Sequence, residues 1–310
     1  MGPIKQIAVI GAGAVGGFYG SLMQRAGHSV EFFTPGGARV LAKSKMHVKS
    51  PWGDYSIKIK AFDSVQDMQP ADLVILSVKA LPEMEYTRLL APVVGRDTII
   101  LLLQNGINVD EPLQKLYRRN PVIGGLAFTC INRLQPNQIA HIDYGKIILG
   151  YQAEAHKAAA NAIKDVMRAS GIDVEVEANL RRLRWKKLLW NIPFNCLSVV
   201  AGGVSTDRLV DDAEMIVMVE QIMDEVRAIA KAEGIILQKK LCKEMIENTR
   251  AMSPYKTSML IDYEKGREME VEAILGEPLR IAAKKKVKTP LLNTVYSLLS
   301  FYNRQKQIKP

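Results

Sequence analysis

Long apolar runs are missing from this chain of 310 residues. No stretch approaches the roughly 18–20 consecutive apolar residues of a membrane-spanning helix, so no membrane partner is expected. Histidine is scarce: there are four, scattered, and none stands at metal-ligand spacing, so no metal site is expected. The three cysteines, Cys130, Cys196 and Cys242, are odd in number and far apart, which fits reduced thiols and excludes a disulfide framework. The opening, MGPIKQIAVIGAG, runs straight into a strand-like segment without a signal-peptide pattern, and a cytoplasmic location is the expectation. Met1-Gly2 is followed by Gln6 where a myristoylation motif needs Ser or Thr. Zinc-finger, RNP-like and aromatic-interleaved basic motifs are also lacking, so nucleic acid is not the expected partner despite a net charge of +10. The basic clusters QKKLCK and AAKKKVK read as solvated helix faces. RRLRWKK leaves open a general attraction for phosphates and carboxylates.

What is present is a folded composition, 48% hydrophobic and 24% charged, on a chain long enough for two domains. Ile7 to Ile10 is a short apolar strand, a helix pattern runs from Ala14 to about Arg25, Gly27 ends it, and Val30 to Phe33 is a second strand. DLVILSV (72–78) and TIILLLQ (98–104) have the continuous apolar character of buried parallel strands. From Pro121 to Tyr151 three short strands, PVIGGLAFTCI, NQIAHID and KIILGY, suggest an antiparallel extension. A helix over about 154–170 and a strand over 172–178 close this part, and nearly everything after Asn179 is helical. The expected architecture is a doubly wound Rossmann-type α/β domain over 1–178 and an all-helical domain over 179–310.

Gly11-Ala12-Gly13-Ala14-Val15-Gly16 has G-x-G-x-x-G spacing. Alone this is weak evidence, but here it follows a strand, opens a helix and lies in a β-α-β unit of about 30 residues. Gly11 permits the tight turn, Gly13 lets a pyrophosphate approach the backbone, and Gly16 lets helix and strand pack closely. A dinucleotide is the expected cofactor. An NAD enzyme needs an acid at the end of the second strand. Glu31 fits the count but sits at the strand's start, whereas the end, TPGGAR, carries no acid and places Arg39 nearby. That pattern favours NADPH.

Within RLRWKKLLWNIPFNCLSVV (182–200), a helix suited to a core, Lys187, Asn191 and Asn195 fall at i, i+4 and i+8, on nearly one face. Burying each amide unpaired would cost roughly 1–3 kcal/mol and the ammonium more. Either these groups satisfy one another and nearby backbone, or they face a polar ligand. Lys79 and Asn105 end apolar strands, where ligands of open parallel sheets gather, although solvated loops would look the same.

GAGAVGG, SVKA, QNG, WKKLLWNIPFN and SMLIDYEKGREMEVEAILG, in that order over roughly residues 4 to 276, resemble the ketopantoate reductase family. The resemblance implies NADPH-dependent reduction of 2-dehydropantoate to pantoate in pantothenate biosynthesis. It makes Lys187 the catalytic acid with Glu270 as its catalytic partner, brings Ser258, Asn105, Asn191 and Asn195 to the substrate, and brings Lys79 and Asn105 to the cofactor. Family members often carry an arginine after the second strand, where this chain has Pro35; Arg39 is the nearby substitute. Pro193 also leaves the Leu189 carbonyl without its helical partner and is expected to kink the helix. Chemically the set is coherent. Hydride delivered to a 2-oxo acid leaves an alkoxide that an ammonium can stabilise and protonate, and burial among Trp185, Leu188 and Trp190 would lower the lysine pKa. Two rivals remain: a related 2-oxo acid or β-hydroxyacid dehydrogenase, and a non-catalytic nucleotide-sensing or nucleic-acid-binding protein on the same fold. Oligomeric state stays open, a homodimer included.

One geometric expectation follows. Ser258 and Glu270 are twelve residues apart, roughly 18 Å along one continuous helix, too far for a small oxo acid to touch both. The helix should therefore break, and Gly266 is the residue there that accepts a left-handed cap.

Overall fold

A computed structural model describes residues 2–307; residues 308–310 of the expected second domain lie outside the described residues. Two compact units emerge. Among the described residues the first holds 2–79, 83–104 and 109–180; the second holds 80–82, 105–108 and 181–307.

The first unit is built from β1 (Gln6–Ile10), α1 (Ala14–Arg25), β2 (Ser29–Phe33), α2 (Ala38–Lys43), β3 (Met46–Lys49), β4 (Tyr55–Ile57), β5 (Lys60–Phe62) and β6 (Ala71–Leu76). It continues with α3 (Tyr86–Leu90), β7 (Val94–Leu102), α4 (Glu111–Leu116), β8 (Val122–Gln135), β9 (Gln138–Gly150), α5 (Lys157–Ala169) and β10 (Val174–Glu177). The strands form one 10-stranded sheet in the order β4-β3-β9-β8-β7-β6-β1-β2-β5, with β10 beside β9. Strands β7, β6, β1, β2 and β5 run parallel. The chain winds to β2 on one side of β1 and returns to β6 on the other, so a topological switch point lies at the carboxyl end of β1. Ile7, Val9, Leu73, Ile75 and Leu101 are buried in its core, as the continuous apolar runs require.

The region 121–151 departs from its sequence reading. It forms two long antiparallel strands, β8 and β9, in place of three short ones. The turn-like Asp143-Tyr144-Gly145 is absorbed inside β9: Tyr144 and Gly145 take positive φ of 59° and 123°, and the register shifts opposite Phe128 and Thr129. A β-bulge admits an extra residue without ending the strand. Glu31 also differs from expectation. It stands mid-strand in β2, buried, accepting from Lys60 Nζ at 2.6 Å and from the Gln69 amide at 2.8 Å.

The second unit contains most of α6 (Leu180–Val200), then α7 (Thr206–Val210), α8 (Ala213–Ala232), α9 (Lys239–Ala251), α10 (Ser258–Glu264), a π-helical turn (Glu272–Gly276), α11 (Glu277–Lys285) and α12 (Pro290–Gln307). Pro193 does not interrupt α6, which is helical throughout its 21 residues. The surrounding core, including Leu188, Leu189, Ile192, Phe194 and Leu197, holds the backbone helical on both sides of the lost bond. Asp212 caps α8 by accepting from the Met215 amide at 2.9 Å. Among the described residues, no helix is long and apolar enough to cross a membrane, and no group of three or more His, Cys, Asp or Glu could hold a metal.

Candidate active site

In the first unit the glycine loop links β1 to α1. The amides of Gly11 and Ala12 both donate to the Phe33 carbonyl at 3.1 Å, anchoring the loop to the end of β2. Gly11 has φ of +105°, and a Cβ there would lie 2.8 Å from Val78, so only glycine fits. A Cβ at Gly16 would fall 2.1 Å from Ser77 Oγ and 2.3 Å from the Gly11 carbonyl, a contact Ser77 needs free because its hydroxyl donates to that carbonyl at 2.7 Å. Gly13 differs: a Cβ there would meet nothing within 4 Å. It faces open space at the start of α1, beside half-buried Ala14 and Val15, and no acidic side chain occupies that helix's first turn. Exposed helix N-terminal amides of this kind bind phosphate, so the residues present fit a dinucleotide diphosphate.

Gly13→Ala supplies a test. With φ at −70° the residue tolerates a side chain, so the fold should keep its stability within roughly 0.5 kcal/mol. The methyl would occupy the diphosphate's approach, and Kd for the dinucleotide should rise by at least about tenfold, the scale of one lost charge-assisted hydrogen bond. An unchanged Kd in a fluorescence titration would remove the loop from the cofactor site.

At the end of β2, Arg39 lies exposed in the first turn of α2. A second guanidinium is close by. Arg133 of β8 bonds the Pro136 carbonyl at 2.7 Å, and its Nη2 lies 3.5 Å from where a Cβ of Gly37 would stand. Glu31, engaged by Lys60 and the Gln69 amide, is committed to the sheet. Lys79 follows β6 and is half-buried.

The second unit gathers the other candidates. Lys187, Asn191 and Asn195 project from consecutive turns of α6; both asparagines are buried, at 5% and 3% exposure. Lys187 retains some accessible surface, yet its ammonium is packed deep among protein atoms. This desolvation lowers its pKa from 10.5 to about 8, with Glu270 pulling it up and Arg184 pushing it down.

Glu270 precedes the π-helical turn, and its Oε1 accepts from the Ala80 amide at 2.9 Å. The expected break between Ser258 and Glu270 is present. Helix α10 ends at Glu264, Gly266 takes φ of +65°, the Arg267 amide donates to the Asp262 carbonyl at 2.8 Å and the Gly266 amide to that of Tyr263 at 3.2 Å. This is a Schellman cap, and the next helical run begins at Val271. Ser258 is exposed in the first turn of α10, where Thr257 is the cap.

The segment 105–108 follows β7 in sequence but belongs to the second unit. Asn105 is half-buried, and Gly106 (φ +101°) lies so close to the π-helical turn that a Cβ would be 2.4 Å from the Ala273 carbonyl. Sequence reasoning missed Arg184, which binds the Gly106 carbonyl at 3.1 Å. Extending the Lys187–Asn191–Asn195 stripe back by three residues would have found it.

A mixed sheet with a parallel core and a phosphate-ready glycine loop, together with a helical unit carrying a desolvated lysine, points to a dinucleotide-dependent oxidoreductase. The sequence profile described as ketopantoate reductase PanE/ApbA matches residues 7–154, and that of its C-terminal domain matches residues 179–303. The chain belongs to the ketopantoate reductase family. A 2-dehydropantoate 2-reductase of Nostoc sp. is 37% identical, covering 96% of this chain and 95% of the relative. The crystal structure of 2-dehydropantoate 2-reductase from Geobacter metallireducens superposes with TM-score 0.90 at 34% identity, over 96% of this chain and 99% of that one. That from Methylococcus capsulatus does so with TM-score 0.85 at 33% identity, over 98% of each.

Proposed function

We propose that this chain reduces 2-dehydropantoate to pantoate with NADPH, in the cytoplasm, as a step of pantothenate formation. The observation that carries the chemistry is Lys187, an ammonium held at about 8 with the Glu270 carboxylate acting on it. Reduced nicotinamide, when bound, supplies hydride to the carbonyl carbon of the 2-oxo acid. The carbonyl oxygen then becomes an alkoxide, and Lys187 Nζ stabilises this charge and donates the proton that completes the alcohol. Glu270 accepts from the substrate's hydroxyl and balances the lysine's charge. Its position is set by the Ala80 amide. Asn191 and Asn195, one and two turns beyond Lys187, orient substrate oxygens together with Asn105, and Ser258 hydrogen-bonds the carboxylate. Gly11 to Gly16 hold the diphosphate, with Lys79 assigned to the cofactor as well.

The preference for NADPH rests on the end of β2. Arg39 stands there, Arg133 lies beside Gly37, and Glu31, the one acid of β2, is bound to Lys60. Arg39→Ala should raise KM for NADPH by about tenfold or more, the scale of a charge-assisted contact, and leave KM for NADH within about twofold. Equal effects on both coenzymes would take Arg39 off the 2′-phosphate. The reaction itself is tested by following NADPH and NADH oxidation with 2-dehydropantoate beside a panel of other 2-oxo acids. The reading requires the highest kcat/KM for NADPH with 2-dehydropantoate. No turnover of it alongside good turnover of another acid would assign a related dehydrogenase.

A further inference from the structure

Arg184 lies on α6 three residues before Lys187 and is buried, with 3% of its surface exposed. Its Nη1 donates to the Gly106 carbonyl at 3.1 Å, in the Gly106–Ile107 peptide one residue beyond Asn105. The opposite side of this peptide is fixed by the π-helical turn, where the Ile107 amide donates to the Ala273 carbonyl at 3.2 Å. One turn earlier on α6, Arg181 donates to Asn108 Oδ1, and Asn108 Nδ2 in turn donates to Glu277 Oε2 at 2.8 Å. Two arginines of one helix thus hold the segment 105–108 at Gly106 and at Asn108. Their electrostatic settings differ. Arg181 is neutralised by a forked pair with Glu233, at 2.9 and 2.7 Å, some distance along the helix from the lysine. Arg184 stands a single turn from Lys187.

We propose that Arg184 is a positioning residue for the reduction: it fixes the Gly106–Ile107 peptide, next to Asn105, against α6 and sets a permanent positive charge one helical turn from Lys187. This rests on the reading of Lys187 as the acid. The charged groups acting on Lys187 are Glu270, from the segment before the π-helical turn, and Arg184, from α6 itself; they act in opposite directions. A neighbouring cation disfavours the protonated lysine, so Arg184 makes Lys187 a readier proton donor. Its bond to the Gly106 carbonyl keeps Asn105 where substrate must meet it, and a displacement of about 1 Å at such a group is worth on the order of a hundredfold in rate.

The two roles separate in Arg184→Gln and Arg184→Lys. NMR titration of the lysine ε-methylene signals, with the Lys187 resonance assigned by its loss in Lys187→Ala, reads the charge effect without requiring turnover. Lys187 should titrate near 8 in the native protein. In Arg184→Gln it should titrate higher by at least about half a pH unit, because a like charge has gone. Arg184→Lys keeps the charge and should restore the native titration. Both variants lose the guanidinium bond to Gly106, so KM for substrate should rise about tenfold in each while Kd for NADPH holds. Should Arg184→Gln not fold, Arg184→Lys still tests positioning through KM with an unmoved titration. A native titration and native KM in these variants, with only a lowered melting temperature, would make Arg184 structural and overturn the proposal. A native protein that turns over no 2-oxo acid would instead be failure of the proposed reaction, and the titration would still decide the charge effect.

Discussion

Replacing Lys187 by alanine is expected to lower turnover by two or more orders of magnitude while leaving NADPH affinity within about twofold. Turnover falls because two contributions disappear together: the proton donor and the positive charge facing the developing alkoxide. NADPH affinity should stay because the glycine loop proposed to hold it, Gly11 to Gly16, belongs to the other unit. Lys186→Ala is the control. Exposure alone does not separate the two lysines, since both are half-buried; on a helix, however, they point about 100° apart. Loss of turnover should follow position 187 alone, and equal losses in both variants would refute the assignment.

The same lysine fixes the direction of the pH dependence. As an acid Lys187 works in its protonated form, so kcat/KM should hold below about 8 and fall as pH rises above it. The stability effect has the opposite sense. With the folded value near 8 and the ordinary value at 10.5, the unfolded chain holds this proton more tightly between those limits. Stability therefore rises as pH climbs from 8 to 10.5, and below 8 the folded protein carries the full burden of the buried charge. At about 1.4 kcal/mol per pKa unit, that burden is on the order of 3 kcal/mol. A site built only for stability would place an apolar side chain here.

Local chemistry made part of this legible in the sequence. The span Ala14–Arg25 of α1 is readable because the glycine loop and Gly27 bracket an apolar periodicity, and the break at Gly266 because two residues twelve apart, both assigned to the site by family resemblance, could not share a straight helix. The Lys187–Asn191–Asn195 stripe showed itself as polarity at helical spacing within an apolar segment. What escaped depends on contacts between distant residues. Nothing local in Asp143-Tyr144-Gly145 distinguishes a turn from a bulge; that is decided by β8 pairing across it. Arg184 looked like one more cation of RRLRWKK, because its partner carbonyl is 78 residues away.

Gly106→Ala should reduce kcat/KM by about a hundredfold or more, through kcat and KM together, with NADPH binding intact. Two separate obstacles meet at this position. At φ of +101° an L-residue is strained, by roughly 1–2 kcal/mol. The added Cβ would also stand 2.4 Å from the Ala273 carbonyl and 2.7 Å from its carbon, and a backbone inside a helical turn cannot rotate aside as a side chain would. The 105–108 segment must therefore retreat. Its retreat breaks the Ile107–Ala273 hydrogen bond and the Arg184–Gly106 bond at once, and Asn105 moves with the peptide. If Asn105 orients substrate as proposed, its poor positioning weakens both binding and the approach to the transition state, so the loss should not appear in KM alone. The measurement is steady-state kinetics paired with an NADPH titration and a melting curve. Native kcat/KM in a normally folded Gly106→Ala would show that the segment lies outside the reaction. A parallel loss of NADPH affinity would mean that the disturbance had spread beyond the second unit. Loss of substrate turnover alone would place Asn105 with Lys187 in the chemistry of the helical half.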